Sequence, residues 1–142
     1  MCIYRKILKF TAPEAAHVMD AISDEASLRI FRLIIVNAKD SESLKDELKM
    51  SYKIYYNRIR NLIETGLIKR KGRFYGITSF GQVVYEAYTK VSKAIENRST
   101  LEIIDVVKGS EIPKDEFAKF ANELIHDVEL REIIVKQIAT SS

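Results

Sequence analysis

Positively charged side chains are concentrated in one short segment of this 142-residue chain. Residues 49–73 contain eight Lys or Arg residues against one acid, Glu64, although the whole chain has a formal net charge of only +3. A dense basic surface of this kind best fits a polyanion that has a groove. We therefore expect double-stranded DNA as the partner. The eight basic residues are Lys49, Lys53, Arg58, Arg60, Lys69, Arg70, Lys71 and Arg73.

The chain contains no pattern that is typical of catalysis or of metal binding. It has no Gly-rich phosphate loop, no Gly-x-Ser-x-Gly and no isolated carboxylate pair beside a base. Cys2, His17 and His126 are far apart in the sequence and provide no pair with metal-ligand spacing. We predict that the protein is not an enzyme and has no catalytic residue, no metal site and no cofactor.

The composition is ordinary for a globular protein, with 46% hydrophobic and 30% charged residues. The single cysteine, Cys2, excludes an internal disulfide and fits a reducing compartment. No stretch approaches the ~20 apolar residues of a membrane span. Arg5, Lys6 and Lys9 interrupt the apolar residues near the start of the chain, unlike the core of a signal peptide. We expect a cytoplasmic protein with no membrane partner.

Apolar spacing predicts a mainly α-helical fold with a small β-hairpin. Residues 1–10 are ambiguous, either a short strand or an arm that lies on a partner. Three helices are expected next, over about residues 13–22, 24–38 and 41–48. The residues that favour their starts are Pro13 for the first, Ser23 or Asp24 for the second, and Ser41 or Ser43 for the third.

A fourth helix is predicted over residues 52–65, with Ser51 as its N-cap and Gly66 as a left-handed stop. One face is apolar and would pack on the third helix through Tyr55, Ile59 and Leu62. The opposite face suits the major groove of DNA, where Asn can pair with adenine and Arg with guanine. Its candidate DNA contacts are Ser51, Tyr52, Lys53, Tyr56, Asn57 and Arg60.

The tyrosines of this face allow two kinds of contact. Tyr52 and Tyr56 can reach phosphates through their hydroxyl groups, or they can touch the methyl groups of thymine. Two large aromatic side chains on a solvent-facing surface are unusual for a helix that is merely structural, which favours a binding role.

A basic hairpin is predicted after the fourth helix. Its strands cover residues 67–70 and 74–78 and are joined through Lys71, Gly72 and Arg73. The tip would lie on backbone phosphates or enter the minor groove, and such contacts orient a protein on DNA without reading sequence. The candidate phosphate contacts are Lys69, Arg70, Lys71 and Arg73.

The order helix, short helix, turn, helix and basic hairpin resembles the winged helix-turn-helix of small prokaryotic regulators of the ArsR and MarR type, including their archaeal relatives. Residues 44–51 resemble the positioning helix and turn, and residues 55–70 resemble the recognition helix leading into the first wing strand. The sequence Tyr75-Gly76-Ile77-Thr78-Ser79-Phe80-Gly81 is similar to the Tyr-x-Leu-Thr-x-x-Gly of that family.

The resemblance covers about residues 24–90 and implies a sequence-specific transcriptional regulator. Helix 52–65 would enter the major groove, and the wing, residues 69–73, would lie on the backbone or in the minor groove. Metal-sensing relatives often carry Cys-x-Cys on the positioning helix. Residues 43–50 contain neither Cys nor His, so metal sensing of that type is not expected.

A long helix over residues 79–98, capped by Thr78 or Ser79, is the expected dimer element. Its apolar stripe is longer than one small domain can cover, although it can instead fold back on the C-terminal helices of its own chain. A homodimer would place two recognition helices ~34 Å apart, matching a two-fold symmetric DNA site. The expected interface residues are Val84, Tyr88, Val91 and Ile95.

Residues 99–142 differ in character, with five basic and nine acidic side chains and a net charge of −4. Helices are expected over residues 101–107 and from Pro113 onward, and the sequence leaves open whether His126 and Asp127 divide the second of these. This extension can complete the dimer, line an effector cavity, bind another protein or repel the DNA backbone.

We divide the chain into an arm with a short helix (1–22), a winged helix-turn-helix with its long helix (23–98) and an acidic helical extension (99–142).

The basic segment is also compatible with roles that do not involve DNA. A charged helix face is commonly just solvated, and Lys or Arg near a helix C-terminus can simply complement its dipole. Basic residues at a hairpin can also prevent its exposed edge from pairing with other chains. A winged helix can serve instead as a protein-interaction or RNA-binding module that uses the acidic C-terminal helices, because fold alone does not decide function.

Overall fold

The structure, a computed structural model, describes residues 12–36 and 40–140. Within these residues it contains eight helices and one antiparallel pair of strands, so the mainly α class with a small hairpin is confirmed. The predicted strand or arm at residues 1–10 and the end of the second helix near residue 38 lie outside the described residues. The elements are α1 Ala12–Ala21, α2 Glu25–Val36, α3 Ser41–Leu48, α4 Tyr52–Glu64, β1 Ile68–Lys71, β2 Phe74–Ile77, α5 Ser79–Glu96, α6 Arg98–Lys108, α7 Lys114–Leu124 and α8 Val128–Thr140.

The chain divides into two compact units, of which the first ends at Val84 and the second begins at Tyr85. This division falls inside α5, whereas the three segments expected from the sequence, 1–22, 23–98 and 99–142, stay a prediction. Among the residues that the structure describes, no helix combines the length and the apolar character that crossing a membrane requires.

The core of the first unit is built around α2, which contacts α3, α4 and β2. Three of its apolar side chains, Ile30, Phe31 and Ile34, are at most 5% exposed. The predicted inward face of α4 is confirmed, because each of its three members is at most 3% exposed, and burying side chains of this size stabilises the fold by roughly 1.5–3 kcal/mol each. The other core side chains come from α3 and the hairpin: Leu44, Leu48, Leu67, Ile68 and Tyr75.

The start of α3 corrects the sequence prediction. Asp40 is its N-cap, with extended backbone and a carboxylate that accepts the N–H of Ser43 at 2.8 Å. Ser41 and Ser43, the two predicted caps, lie inside the first turn of the helix. Asp is as good a cap as Ser, and Asp40 has the extended conformation that a cap needs and also forms a bridge with Phe74 of the hairpin.

The turn from α3 into α4 follows the prediction. Lys49 ends α3 in the left-handed region at φ +50°. The side chain of Ser51 then caps α4 by accepting the N–H of Ile54 at 3.4 Å. Gly66 follows α4 at φ +80°, a conformation that glycine adopts without the cost that a Cβ would add.

The hairpin is tighter than predicted. β1 and β2 are antiparallel, with Ile68 opposite Ile77 and Lys71 opposite Phe74. Lys71 is therefore a strand residue, and the loop contains just Gly72 and Arg73. Gly72 has φ +60°, the positive value that a two-residue loop of type II′ needs at its first position.

Thr78, rather than Ser79, caps α5. Its hydroxyl oxygen accepts the N–H of Gly81 at 2.8 Å, and the hydroxyl group donates to the carbonyl oxygens of Gly66 and Leu67. The N–H of Thr78 also donates to the carbonyl of Leu67 at 3.1 Å. One side chain thus connects the end of the hairpin, the stop after α4 and the start of α5.

In the second unit, α7 contacts both α6 and α8. The break that the sequence left open is present: α7 ends at Leu124, and Asp127 accepts the N–H of Leu130 at 3.0 Å at the start of α8. That hydrogen bond, with the Lys93 ammonium 3.3 Å away, lowers the pKa of Asp127. The buried residues of this unit are Ile104, Phe117, Ala121, Ile125 and Leu130.

Candidate functional site

The face of α4 that points away from the core carries the predicted DNA contacts. Lys53, Asn57 and Arg60 are exposed, as is Ser51 immediately before the helix. Tyr52, the first residue of α4, is 65% exposed, whereas Tyr56 is half-buried. The first two turns of α4 therefore present both polar and aromatic side chains to solvent.

Three tyrosine rings of α4 contact one another in a series that extends from the surface to the core. The ring centroids of Tyr52 and Tyr56 are 4.4 Å apart, and Tyr56 meets Tyr55 edge-on at 5.1 Å. Tyr55 at the inner end is fully buried. At the outer end, Nζ of Lys45, from α3, lies 4.8 Å from the ring centroid of Tyr52. The exposed ring is thus held by contacts from two helices.

The four basic residues of the hairpin do not share one face. Side chains alternate along a strand, and Arg70 lies opposite Tyr75. Its guanidinium carbon is 5.9 Å from the Tyr75 ring, and its Nε donates to the carbonyl of Gly72 at 3.0 Å. Arg70 is therefore on the Tyr75 side of the hairpin, and the alternation of side chains puts Lys69 and Lys71 on the other side.

Two open grooves lie beside the outer part of α4, and Tyr56 and Arg70 line both of them. The first groove, about 350 Å³, opens toward the start of α3 and also includes Arg73. The second, about 400 Å³, runs along α4 and also includes Arg60. The remaining lining residues are Asp40, Ser41 and Glu42 in the first groove, and Ile59, Ile63, Glu64 and Tyr75 in the second.

Hydrogen bonds fix the hairpin relative to α3 and α4. The hydroxyl of Tyr55 donates to the carbonyl of Ser41 at 3.0 Å and lies 3.2 Å from the Ser41 hydroxyl, which can donate in return. The N–H of Ser41 donates to the carbonyl of Arg73 at 3.0 Å. A continuous path of hydrogen bonds therefore leads from the first turn of α4, through the start of α3, to the tip of the hairpin.

Charges beside this site are partly compensated. Hydrogen bonds from Ser43, together with the nearby Arg73 guanidinium, lower the pKa of Asp40, so this carboxylate stays ionised at neutral pH. Arg58 is directed away from the exposed face of α4, since its Nε lies 3.1 Å from a carboxylate oxygen of Asp24. Arg58 belongs to the basic segment of the sequence, but its charge is paired with Asp24 of the same unit.

Alkaline pH should weaken the Tyr55 contact. Burial raises the pKa of Tyr55 to about 12. Its stabilising effect is complete below the ordinary tyrosine pKa of about 10 and is lost as the pH rises toward 12, because the unfolded chain releases this proton first. We expect the free energy of unfolding to fall by on the order of 2 kcal/mol from this group across that range.

Urea unfolding of the wild type and of Tyr55→Phe between pH 8 and 11.5 measures this effect. The variant should be less stable by about 1 kcal/mol at pH 8, because it lacks the hydroxyl bonds to Ser41, and the difference should shrink or reverse above pH 10. Two curves that stay parallel over the whole range would show that Tyr55 does not titrate with a raised pKa.

The expected dimer residues occupy two environments. Val84 and Tyr88 are half-buried, whereas Val91 and Ile95 are 52% and 68% exposed. The C-terminal half of the predicted apolar stripe on α5 is therefore accessible to solvent in the single chain.

Sequence reasoning missed Lys45, Ser41 and Asp40 as residues that position the site. Each interacts with a residue of the site or the hairpin through the tertiary fold, and the weak signal in the sequence was that Asp40 is itself a good N-cap. Within residues 12–36 and 40–140, there is no group of three or more His, Cys, Asp or Glu side chains able to hold a metal ion.

Comparison with protein-family models, with curated proteins and with solved structures identified no match to this chain.

Proposed function

We propose that this protein is a sequence-specific, double-stranded DNA-binding transcriptional regulator with a winged helix-turn-helix. α3 and α4 form the helix-turn-helix, and β1 and β2 form the wing. α4 enters the major groove, and the wing lies on the backbone or in the minor groove beside it.

The observation that carries the proposal is the shared lining of the two grooves. Tyr56 on α4 and Arg70 on the wing face both grooves, with Arg60 in one and Arg73 in the other. Part of the positive charge is offset by Asp40 and Glu42 in the first groove and by Glu64 in the second. Cationic side chains from two successive elements nevertheless converge on the same pair of adjoining grooves, which favours a phosphate backbone as the occupant. A solvated helix or a protected hairpin edge does not require this convergence.

Exposed polar side chains on α4 support the proposed recognition of specific DNA bases. Asn57 and Arg60 lie on the exposed face, and each can pair with two atoms of one base in the major groove. The side chains that the fold directs elsewhere, such as Arg58, are not needed for it.

The second part of the proposal is that two copies act together. Val91 and Ile95 leave apolar surface on α5 that a second copy would cover, in keeping with the two-fold symmetric sites of dimeric regulators. Residues 99–142 would complete that dimer or bind an effector or another protein.

Selection of bound duplexes from a random pool tests the DNA binding, its sequence specificity and the dimer together. We expect enrichment of a palindromic site whose half-sites are about 10–10.5 base pairs apart, one helical turn. Enrichment of an asymmetric site would contradict the dimer but not the DNA binding. A complete lack of enrichment, with no shift of random duplex DNA in a gel, would contradict the function and favour the protein-interaction or RNA-binding alternative.

A further inference from the structure

The aromatic ring of Tyr52 is exposed to solvent but is contacted by two neighbouring side chains. It is 65% exposed and is the first residue of α4, directly after the Ser51 cap. A surface tyrosine in a helix normally has freedom to change rotamer. Here the Tyr56 ring supports it at 4.4 Å, and Lys45 Nζ lies 4.8 Å from its centroid.

The support for this ring continues inward. Tyr56 packs edge-on against Tyr55, whose side chain is fully buried and whose hydroxyl donates to the Ser41 carbonyl. The orientation of Tyr52 is therefore set by a series of contacts that ends in the core. A preoriented ring loses little conformational entropy when it contacts a ligand, so its apolar contact is more favourable than that of a mobile side chain.

The two tyrosines of the exposed face have different surroundings. Tyr56 is half-buried and lines both grooves beside Arg70, where phosphate oxygens would lie. Tyr52 is absent from the lining of these two grooves and sits at the helix start, where the residues of a recognition helix usually meet base edges.

In the major groove, thymine is the base that presents an apolar group, its C5 methyl. We propose that Tyr52 is a specificity-determining residue that recognises thymine through contact of its ring with this methyl group, while Tyr56 supports it and faces the phosphate backbone. This inference rests on the proposed DNA binding of α4. From the residue type alone, either tyrosine could contact a phosphate or a thymine methyl group, and the inference assigns the methyl contact to Tyr52.

The test compares two forms of the duplex recovered by random-pool selection, synthesised with thymine or with uracil at every thymine position. The two forms differ in the C5 methyl groups alone. Burial of one methyl group is worth about a fourfold change in affinity, so a dimer with one such contact in each half-site should bind the uracil duplex about 15-fold more weakly. Fluorescence anisotropy titrations measure this ratio.

Two variants separate the ring from the hydroxyl group. Tyr52→Ala should bind both duplexes with nearly equal affinity, because the side chain that reads the methyl is gone. Tyr52→Phe, which lacks only the hydroxyl, should keep the wild-type ratio. Since Tyr52 is exposed, both variants should fold, and their melting temperatures provide the check.

Three outcomes would overturn the inference. Equal binding of the two duplexes by the wild type would remove methyl recognition altogether. A ratio that persists in Tyr52→Ala would assign it to another side chain or to the altered shape of the uracil duplex. A ratio lost in Tyr52→Phe would show that the hydroxyl, not the ring, is responsible. A selection that yields no bound duplex contradicts the proposed function instead, so the two failures are distinguishable.

Discussion

Replacing Gly81 with alanine is expected to destabilise the first unit by roughly 3–5 kcal/mol, near the upper end for a single substitution. A Cβ at this position would overlap the carbonyl oxygen of Leu67 and lie 2.9 Å from Cγ1 of Ile77. The Leu67 carbonyl cannot move freely, because it accepts hydrogen bonds from both the N–H and the hydroxyl of Thr78. α5 would have to shift away from the hairpin and lose its Thr78 cap.

The sign of the stability change in Gly81→Ala distinguishes steric overlap from local helix propensity. In an unconstrained helix, alanine is more stable than glycine by about 0.5–1 kcal/mol, so local helix propensity alone predicts stabilisation. Urea unfolding followed by circular dichroism measures the result. Gly76→Ala is the matched control, because nothing lies within 4 Å of a Cβ at Gly76, and it should change stability by less than about 1 kcal/mol. A Gly81→Ala protein as stable as the wild type would show that the contact between α5 and Leu67 is looser than the structure has it.

Under the proposed DNA binding, neutralising the tip of the proposed wing should produce the largest change in DNA affinity. If each protomer neutralises ~5 phosphates, a dimer has a log–log salt slope of about −9, from −0.9 per contact. Lys71→Ala with Arg73→Ala removes two contacts per protomer, which should flatten the slope to about −5. At ~0.1 M salt this corresponds to a loss of affinity on the order of 10³ for all duplexes, because phosphate contacts are independent of sequence.

Anisotropy titrations at several salt concentrations measure both quantities. Lys108→Ala with Lys119→Ala changes the net charge by the same amount at exposed positions of the second unit, and its slope should stay close to that of the wild type. If both double variants lose affinity equally, bulk charge and not the wing explains the binding. If neither does, the wing makes no phosphate contact.

The helices themselves were predictable because their signals are local. Ser51 caps α4 and Gly66 follows it with a positive φ, and both features depend on the preference of one residue for one backbone conformation. The inward face of α4 was predictable for the same kind of reason, since residues three and four apart share a side of a helix.

The wrong prediction of the α3 N-cap concerned a choice among neighbouring candidates. Asp40, Ser41 and Ser43 are all good N-caps, and their propensities do not separate them. Asp40 has the extended backbone of a cap, and it pairs with Phe74, which is 34 positions later in the chain. A pairing between residues so far apart cannot be read from the residues around the cap, so the sequence alone did not single out Asp40.

The amino-acid sequence by itself determined which segments become helices, that a hairpin follows α4 and that seven of the eight basic residues of segment 49–73 belong to α4 and the hairpin, because these follow from interactions over a few residues. Tertiary structure alone decided how those basic residues are used. It paired Arg58 with Asp24, which is 34 positions earlier, and it joined Arg73 at the tip of the hairpin to the start of α3 through the hydrogen bond from the Ser41 N–H to the Arg73 carbonyl. Each of these depends on the distance between residues far apart in the chain, which packing of the core sets and local preference does not.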